Sequence, residues 1–332
     1  MTSTYIRHRF SWVITAVILL AVTIPAAAQS DPSLTQYFRM PSLVNPGAAG
    51  STDYLRINGG SRLQWIGIEH APRAFIATAD MPFKLLDKRF GTGITLQQES
   101  YGLNNNLIFD AQLSYNFKAL GGRMSAGLQV GLMSHTFRGS EVFLPDDDDY
   151  HTGSDDAIPT TDLNGMGVDM AAGVWYEHKL FYAGLSCTHI NSPSVSMTTE
   201  GQSETQAQTY DFTLNRTLYF TAGSNIAIKN TLFELIPSVQ VKSDFTFTQV
   251  DITARVRYNK FMTAGFGFRS DDAVSLILGV DFKNFYIGYS YDYPINAISR
   301  ASSGSHEVFA GYKLKLDLSE KNRNRHKSIR IM

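Results

Sequence analysis

From residue 54 to residue 316 the chain changes character at every second position, and this period limits the possible folds more than any motif does. Side chains of an extended strand point alternately to its two faces. Within residues 249–269, Val250, Ile252, Ala254, Val256 and Tyr258 fall on one side, and Gln249, Asp251, Thr253, Arg255 and Arg257 on the other. After Asn259-Lys260 the pattern resumes, with Met262, Ala264, Phe266 and Phe268 set against Thr263, Gly265, Gly267 and Arg269. The spacing predicts a hairpin with a very short turn. Leu107, Phe109, Ala111, Leu113, Tyr115 and Phe117 oppose Asp110, Gln112, Ser114, Asn116 and Lys118 in the same way. About fourteen such segments can be traced, with no amphipathic helix among them and no apolar run long enough for a membrane helix.

The connections decide which way the apolar faces turn. Tight links at residues 118–123, 177–179, 229–230, 259–260 and 283–284 alternate with longer ones at 139–164, 191–208, 242–248, 270–273 and 294–305. If the strands run up and down in order, the tight turns gather at one end and the loops at the other. That is the plan of an all-β, outer-membrane antiparallel β-barrel with short periplasmic turns and long extracellular loops. A soluble sandwich, the competing arrangement, gives no reason for it. Charged residues make up 18%, below the roughly 25% of soluble domains, and aromatics make up 12%; both favour a large non-aqueous surface. Tyr115, Phe117, Trp175, Tyr176, Phe181, Tyr182, Tyr258, Phe261, Phe282 and Phe285 flank the tight turns, where an interfacial girdle belongs. An open sheet edge in lipid would leave backbone groups unpaired, so the first and last strands are expected to pair. A lumen this wide needs filling. The candidates are residues 29–51 or a long loop folded inward.

The ends lie outside this pattern. Arg7-His8-Arg9, an apolar run from Trp12 to Ile24, and Pro25-Ala26-Ala27-Ala28 predict a signal peptide over residues 1–28. Residues 29–52 then form a periplasmic or plug segment and residues 53–316 the barrel. Residues 317–332, with Lys321, Arg323, Arg325, Lys327 and Arg330, form a basic disordered periplasmic tail. Net charge is −1, which makes no case for nucleic acid. Cys187 is the single cysteine, so neither an intramolecular disulfide nor a thiolate zinc cluster is available.

Few residues suggest chemistry. Asp146, Asp147, Asp148 and Asp149 are weak calcium candidates, because their carboxylates lack the spacing of a calcium loop. His306 and Glu307 follow Ser302, Ser303 and Ser305, but neighbours on a strand face opposite ways and cannot serve one catalytic site. No catalytic residue and no cofactor is expected. The polar face mixes signs, with Asp110, Arg123, Glu234, Lys242, Asp251, Arg255, Arg257, Asp281 and Lys313. Mixed charges suit mutual neutralisation in a filled lumen better than an ion-selective pore. Val256→Lys is expected to cost about 2 to 4 kcal/mol if Val256 faces lipid.

Particular words add a resemblance. Asp31-Pro32, Gln36-Tyr37, Val44-Asn45-Pro46-Gly47, Ala49-Gly50-Ser51, Arg62-Leu63-Gln64-Trp65 and Ala71-Pro72 resemble the opening of the PorP/SprF family. Gly304-Ser305-His306-Glu307 before a Tyr312-containing strand resembles its close. The resemblance implies a non-enzymatic outer-membrane component of the type IX secretion system that helps secrete or anchor a large, adhesin-like surface protein. It implies contact with that partner's C-terminal domain, with periplasmic and outer-membrane secretion components, and with outer-membrane lipid. The motif positions Asn45, Pro46, Gly50, Gln64, Trp65, Pro72, His306 and Glu307 are expected to be structural. The rival reading is an outer-membrane channel for a hydrophobic or small polar solute.

Overall fold

The structure is a computed structural model that describes residues 31–142, 159, 161–198 and 209–318. The predicted signal peptide, the calcium candidates Asp146 to Asp149 and the tail beyond residue 318 lie outside the described residues. Among the described residues seventeen strands follow one another: β1 (Tyr54–Leu63), β2 (Arg73–Leu85), β3 (Lys88–Tyr101), β4 (Asn104–Ala119), β5 (Gly122–Arg138) and β6 (Asp162–Glu177). Next come β7 (Phe181–Thr188), β8 (Ser194–Thr198), β9 (Thr209–Thr213), β10 (Thr217–Ser224), β11 (Ile226–Ala227) and β12 (Phe233–Ser243). The last are β13 (Thr248–Tyr258), β14 (Met262–Arg269), β15 (Ala273–Phe282), β16 (Phe285–Pro294) and β17 (Ser305–Lys315).

Strands β1 to β7, β10 and β12 to β17 form the wall, each antiparallel to its neighbour, while β11 continues β10 along β12. The last strand closes on the first, with pairs running from Tyr54–Lys315 to Leu63–His306. The result is a ring of fourteen strands with no open edge, as backbone in lipid requires.

The alternation read in the sequence separates the two faces. On β13 and β14, Ile252, Val256, Phe266 and Phe268 are exposed on the outside, while Asp251, Thr253, Arg255 and Arg269 are buried on the inside. The turns at residues 86–87, 120–121, 178–180, 228–232, 259–261 and 283–284 share one end, here the turn end. Leu86-Asp87 and Asn259-Lys260 have positive φ at both positions, as in the tight turns that suit strand twist.

The opposite, loop end is less uniform than expected. Residues 102–103 form a two-residue turn there; the link at 244–247 is short because β12 and β13 run on through residues expected in a loop, and that at 270–272 is short because β15 begins at Ala273. The 191–208 region is also not loop throughout: β8 pairs with β9, which lies beyond it. The girdle needs one correction. Trp175 is buried and stacks on Tyr182 with ring centroids 5.2 Å apart, so both rings stand inside the barrel rather than at the lipid interface. Gly184 across the strand pair leaves the room that the indole occupies.

Candidate functional site

Both predicted ways of filling the lumen occur. Residues 31–51 run inside the ring from the loop end to the turn end, as short 3-10 and helical turns over Tyr37–Arg39, Pro41–Val44 and Pro46–Ala48. Gln36, Ser42, Asn45, Ala48 and Ala49 are almost wholly buried. This plug exchanges hydrogen bonds or ion pairs with all fourteen wall strands. They include Arg56 on β1, Asp80 on β2, Arg89 on β3, Ser114 on β4, Arg123 on β5, Val174 on β6 and Ser186 on β7. They continue with Tyr219 on β10, Ser238 on β12, Gln249 on β13, Arg269 on β14, Asp281 on β15, Asp292 on β16 and Glu307 on β17.

The first half of the plug is held by charge. Glu307 accepts the backbone N–H of Thr35 (2.9 Å) and of Gln36 (2.7 Å), and also Arg62 (3.1 Å). Arg62 reaches Asp292 at 2.7 Å, and Asp292 accepts the Thr35 hydroxyl. Arg269, one of the most buried side chains, binds Asp251 at 2.6 Å and Asp292 at 3.3 Å. Buried charges are tolerated only when paired and hydrogen-bonded in this manner. Two guanidiniums sit over rings with Cζ 3.3 Å from the centroid, Arg255 over Phe38 of the plug and plug residue Arg39 over Tyr286.

A second ionic cluster fixes the plug's outer tip. His189, just past β7, lies 2.8 Å from Asp31 and 2.9 Å from Asp169. Burial works against the imidazolium, but Asp31 and Asp169 outweigh it and push His189 up to about 10. Burial alone would raise the Asp31 carboxyl; His189, assisted by Lys242 and the Tyr219 hydroxyl, holds it well below the usual carboxylate range.

The second half is held by backbone apposition. Asn45 caps the Pro46–Ala48 turn, accepting Gly47 N–H at 2.9 Å, and donates to the carbonyls of Val174 (3.0 Å) and Leu185 (3.4 Å). Ser114 donates to the Ala49 carbonyl and Ser186 to that of Val44. A Cβ on Gly91 would collide with the Ala49 carbonyl, and one on Gly127 with Pro46. Gly50 has φ +61° and donates its N–H to Asp80 at 2.9 Å.

At the loop end, β8 and β9 fold over one side of the lumen. Val195 and Met197 pack on Ile108, Met133 and Leu163 of the inner wall, and Phe212 stacks on His135 with centroids 3.7 Å apart. On the other side the described residues enclose a vestibule of about 550 Å³. Plug residues 31–33 line it together with Trp65, Glu99, Tyr101, Phe247 and Asp271. Between plug and wall, two cavities measure about 30 and 10 Å³, room for a water or two.

The motif residues separate into groups. Gln64 donates its N–H to Pro72 across the β1–β2 loop, and Trp65, at φ +50°, donates its N–H to Ser305. Ile66 and Gly304 extend this contact, zipping the first and last loops together above the β1–β17 seam. Asn45 and Pro46 sit against β5 to β7, and Gly50 against β2 and β3. His306 bonds Tyr289 at 2.7 Å on the outer face, whereas Glu307 points inward to the plug.

Sequence reasoning missed the parts played by Arg62, Asp80, Asp169, His189 and Asp292. Nor did it find the apolar contacts of the lumen, where Ile76 and Phe309 pack on Leu34 and Met40. A signal for the apolar contacts was present. Leu107-Ile108-Phe109, Phe75-Ile76 and Val308-Phe309 break the alternation with consecutive apolar residues, so one of each must face inward.

A closed fourteen-stranded wall, apolar outside and filled by the chain's own N-terminal segment, defines a plugged β-barrel of the outer-membrane kind. The family model described as type IX secretion system membrane protein PorP/SprF matches residues 26–312, and the chain belongs to that family. Similar solved structures include the P. putida toluene transporter TodX, at 9% identity and a TM-score of 0.44, covering 88% of this chain and 97% of that one. A Pseudomonas aeruginosa FadL homologue gives 10% identity and a TM-score of 0.48, with 88% and 96% covered. The translocator domain of the autotransporter NalP from Neisseria meningitidis gives 12% and 0.44, with 84% and 95% covered. These likenesses lie in the barrel fold alone. No curated protein matches the chain.

Proposed function

We propose that this barrel is a non-enzymatic anchor or accessory of the type IX system in the cell outer membrane. It is exported by its signal peptide and helps to secrete or hold a large surface protein through that partner's C-terminal domain. The observation that carries this reading is a plug hydrogen-bonded or ion-paired to every wall strand, with cavities of about 30 and 10 Å³ between plug and wall. Such a barrel suits a rigid mount better than a solute path. The turn end is periplasmic and the loop end extracellular, so loops 139–164 and 191–208 grip the partner. Turns carrying the exposed residues Leu86, Leu120 and Leu180 meet periplasmic components. Any role for the plug on that side is confined to its last residues, because residues 31–49 are enclosed by the wall.

The test is a pull-down of the tagged protein from outer membranes with mass spectrometry of what accompanies it. A secreted surface protein together with secretion components is expected. Replacing residues 143–158 or 199–208 by a short Gly-Ser linker keeps β8 and β9 and should reduce partner display. Unchanged display with an assembled barrel would remove that loop from the reading. Solute-dependent swelling of liposomes carrying the protein would favour the channel instead.

A further inference from the structure

We propose that the loop-end vestibule binds an organic ammonium or guanidinium group carried on an apolar stem, such as a lysine or arginine side chain. Its volume of about 550 Å³ lies in the range of small-ligand pockets and far exceeds a single ion. Glu99, Asp271, Asp272, Glu69 and Asp31 supply five carboxylates to the lining, and His70 is its one basic side chain. Asp31 and Asp272 are already paired, with His189 and Arg269, and His70 lies beside Glu69. Glu99 and Asp271 form no such side-chain pair with any described residue.

Glu99 is the telling residue. It leaves 9% of its surface exposed, yet no hydrogen bond or ion pair joins its carboxyl to any described residue. The lumenal cation on this side, Lys242, is occupied by the Asp31 carbonyl (2.9 Å) and the Ser33 hydroxyl (3.0 Å). A buried carboxyl without a partner is costly to ionise, and a cationic donor entering from the vestibule lowers that cost. The surrounding side chains select the kind of cation. Trp65, Tyr101, Phe247 and Ile68 offer ring faces and aliphatic surface to a charged head with a methylene stem. The described residues contain no group of three His, Cys, Asp or Glu side chains placed to hold a metal ion.

The site stands on this geometry; only the assignment of its cation to an exported chain rests on the anchor reading above. The test is calorimetric titration of the full-length protein in detergent with Nα-acetyl-lysine-N-methylamide, its arginine and norleucine counterparts, spermidine and calcium chloride. Saturable binding of a cationic probe is expected, with the norleucine compound silent at tenfold higher concentration. Glu99→Gln, which breaks no bond, should weaken binding at least tenfold while the thermal transition stays in place. If that variant fails to assemble, Asp271→Asn carries the test, since asparagine tolerates the left-handed backbone at this exposed position, and about threefold weakening is expected. Equal binding of the norleucine compound, unaltered affinity in the variants, or saturable binding of calcium alone overturns the proposal. Binding of the blocked amino acids supports an exported chain as source, and binding of spermidine alone supports a free amine. Cells carrying Glu99→Gln that retain their surface protein, while the purified variant has lost amine binding, keep the anchor reading and overturn the exported-chain source.

Discussion

Residues 31–39 and residues 41–51 belong to one continuous plug, yet the wall holds them by different means. The first half meets the end of β7, β10, β12 to β17 and β1 mainly through carboxylates, guanidiniums, the Lys242 ammonium and the His189 imidazole. The second half meets β1 to β7 mainly through its own carbonyls, with glycines on both partners letting backbones approach. A charge-held contact answers to proton concentration and to loss of a partner. A backbone-held contact is indifferent to pH and answers to added volume. The plug therefore has one end held by buried acid–base pairs and one held mainly at its own backbone carbonyls, with Asp80 as the carboxylate on Gly50.

Substitutions and pH should separate these two halves. Glu307→Ala removes the acceptor shared by Thr35, Gln36 and Arg62, and breaking such a buried pair costs about 3 to 5 kcal/mol. Urea unfolding in lipid should show this loss, with faster hydrogen exchange confined to residues 31–39; equal loosening of residues 41–51 would erase the distinction. Gly91→Val drives a side chain into the Ala49 carbonyl, and overpacking of this kind costs about 1 to 3 kcal/mol. Proteolytic sensitivity should then rise in residues 41–51 while the Asp31 end stays protected. Asn45→Ala leaves the Gly47 N–H and two carbonyl contacts unmet, for about 1 to 2 kcal/mol, again read as exchange in the second half.

The smallest effect is that of pH. His189 is raised above its free value, so its contribution is complete below about 6.5 and is lost as pH climbs through about 10. Asp31 is lowered, so its contribution is present above the ordinary carboxylate range and fails only in strong acid. Exchange of residues 31–36, corrected for its intrinsic base catalysis, should rise toward pH 10 while residues 41–51 stay flat. In His189→Gln that difference should vanish.

The wall was legible because its rule is local: a period of two assigns each side chain to lipid or lumen without knowledge of any distant residue. Val256, Phe266, Asp251 and Arg269 all stand on their expected faces. The plug was legible only as a candidate, because its contacts are with residues up to 272 positions away and follow no period. His189 looked like one scattered histidine among several, and nothing near it in sequence announces Asp31. Trp175 was misplaced because an aromatic residue beside a turn fits a girdle equally well, and the vacancy left by Gly184 exists only once the strands are paired.

The Glu307 carboxylate bears on the order of assembly. It sits on the last strand, receives Arg62 from the first, and holds residues 35 and 36 of the plug. A ring joined at the seam without its plug would enclose Glu307 with two donors missing. A seated plug without the last strand would leave Thr35 and Gln36 N–H unanswered. Closure and filling thus become a single cooperative event that waits for the final strand. A chain cut short before β17 has neither a seam nor a hold on its own beginning.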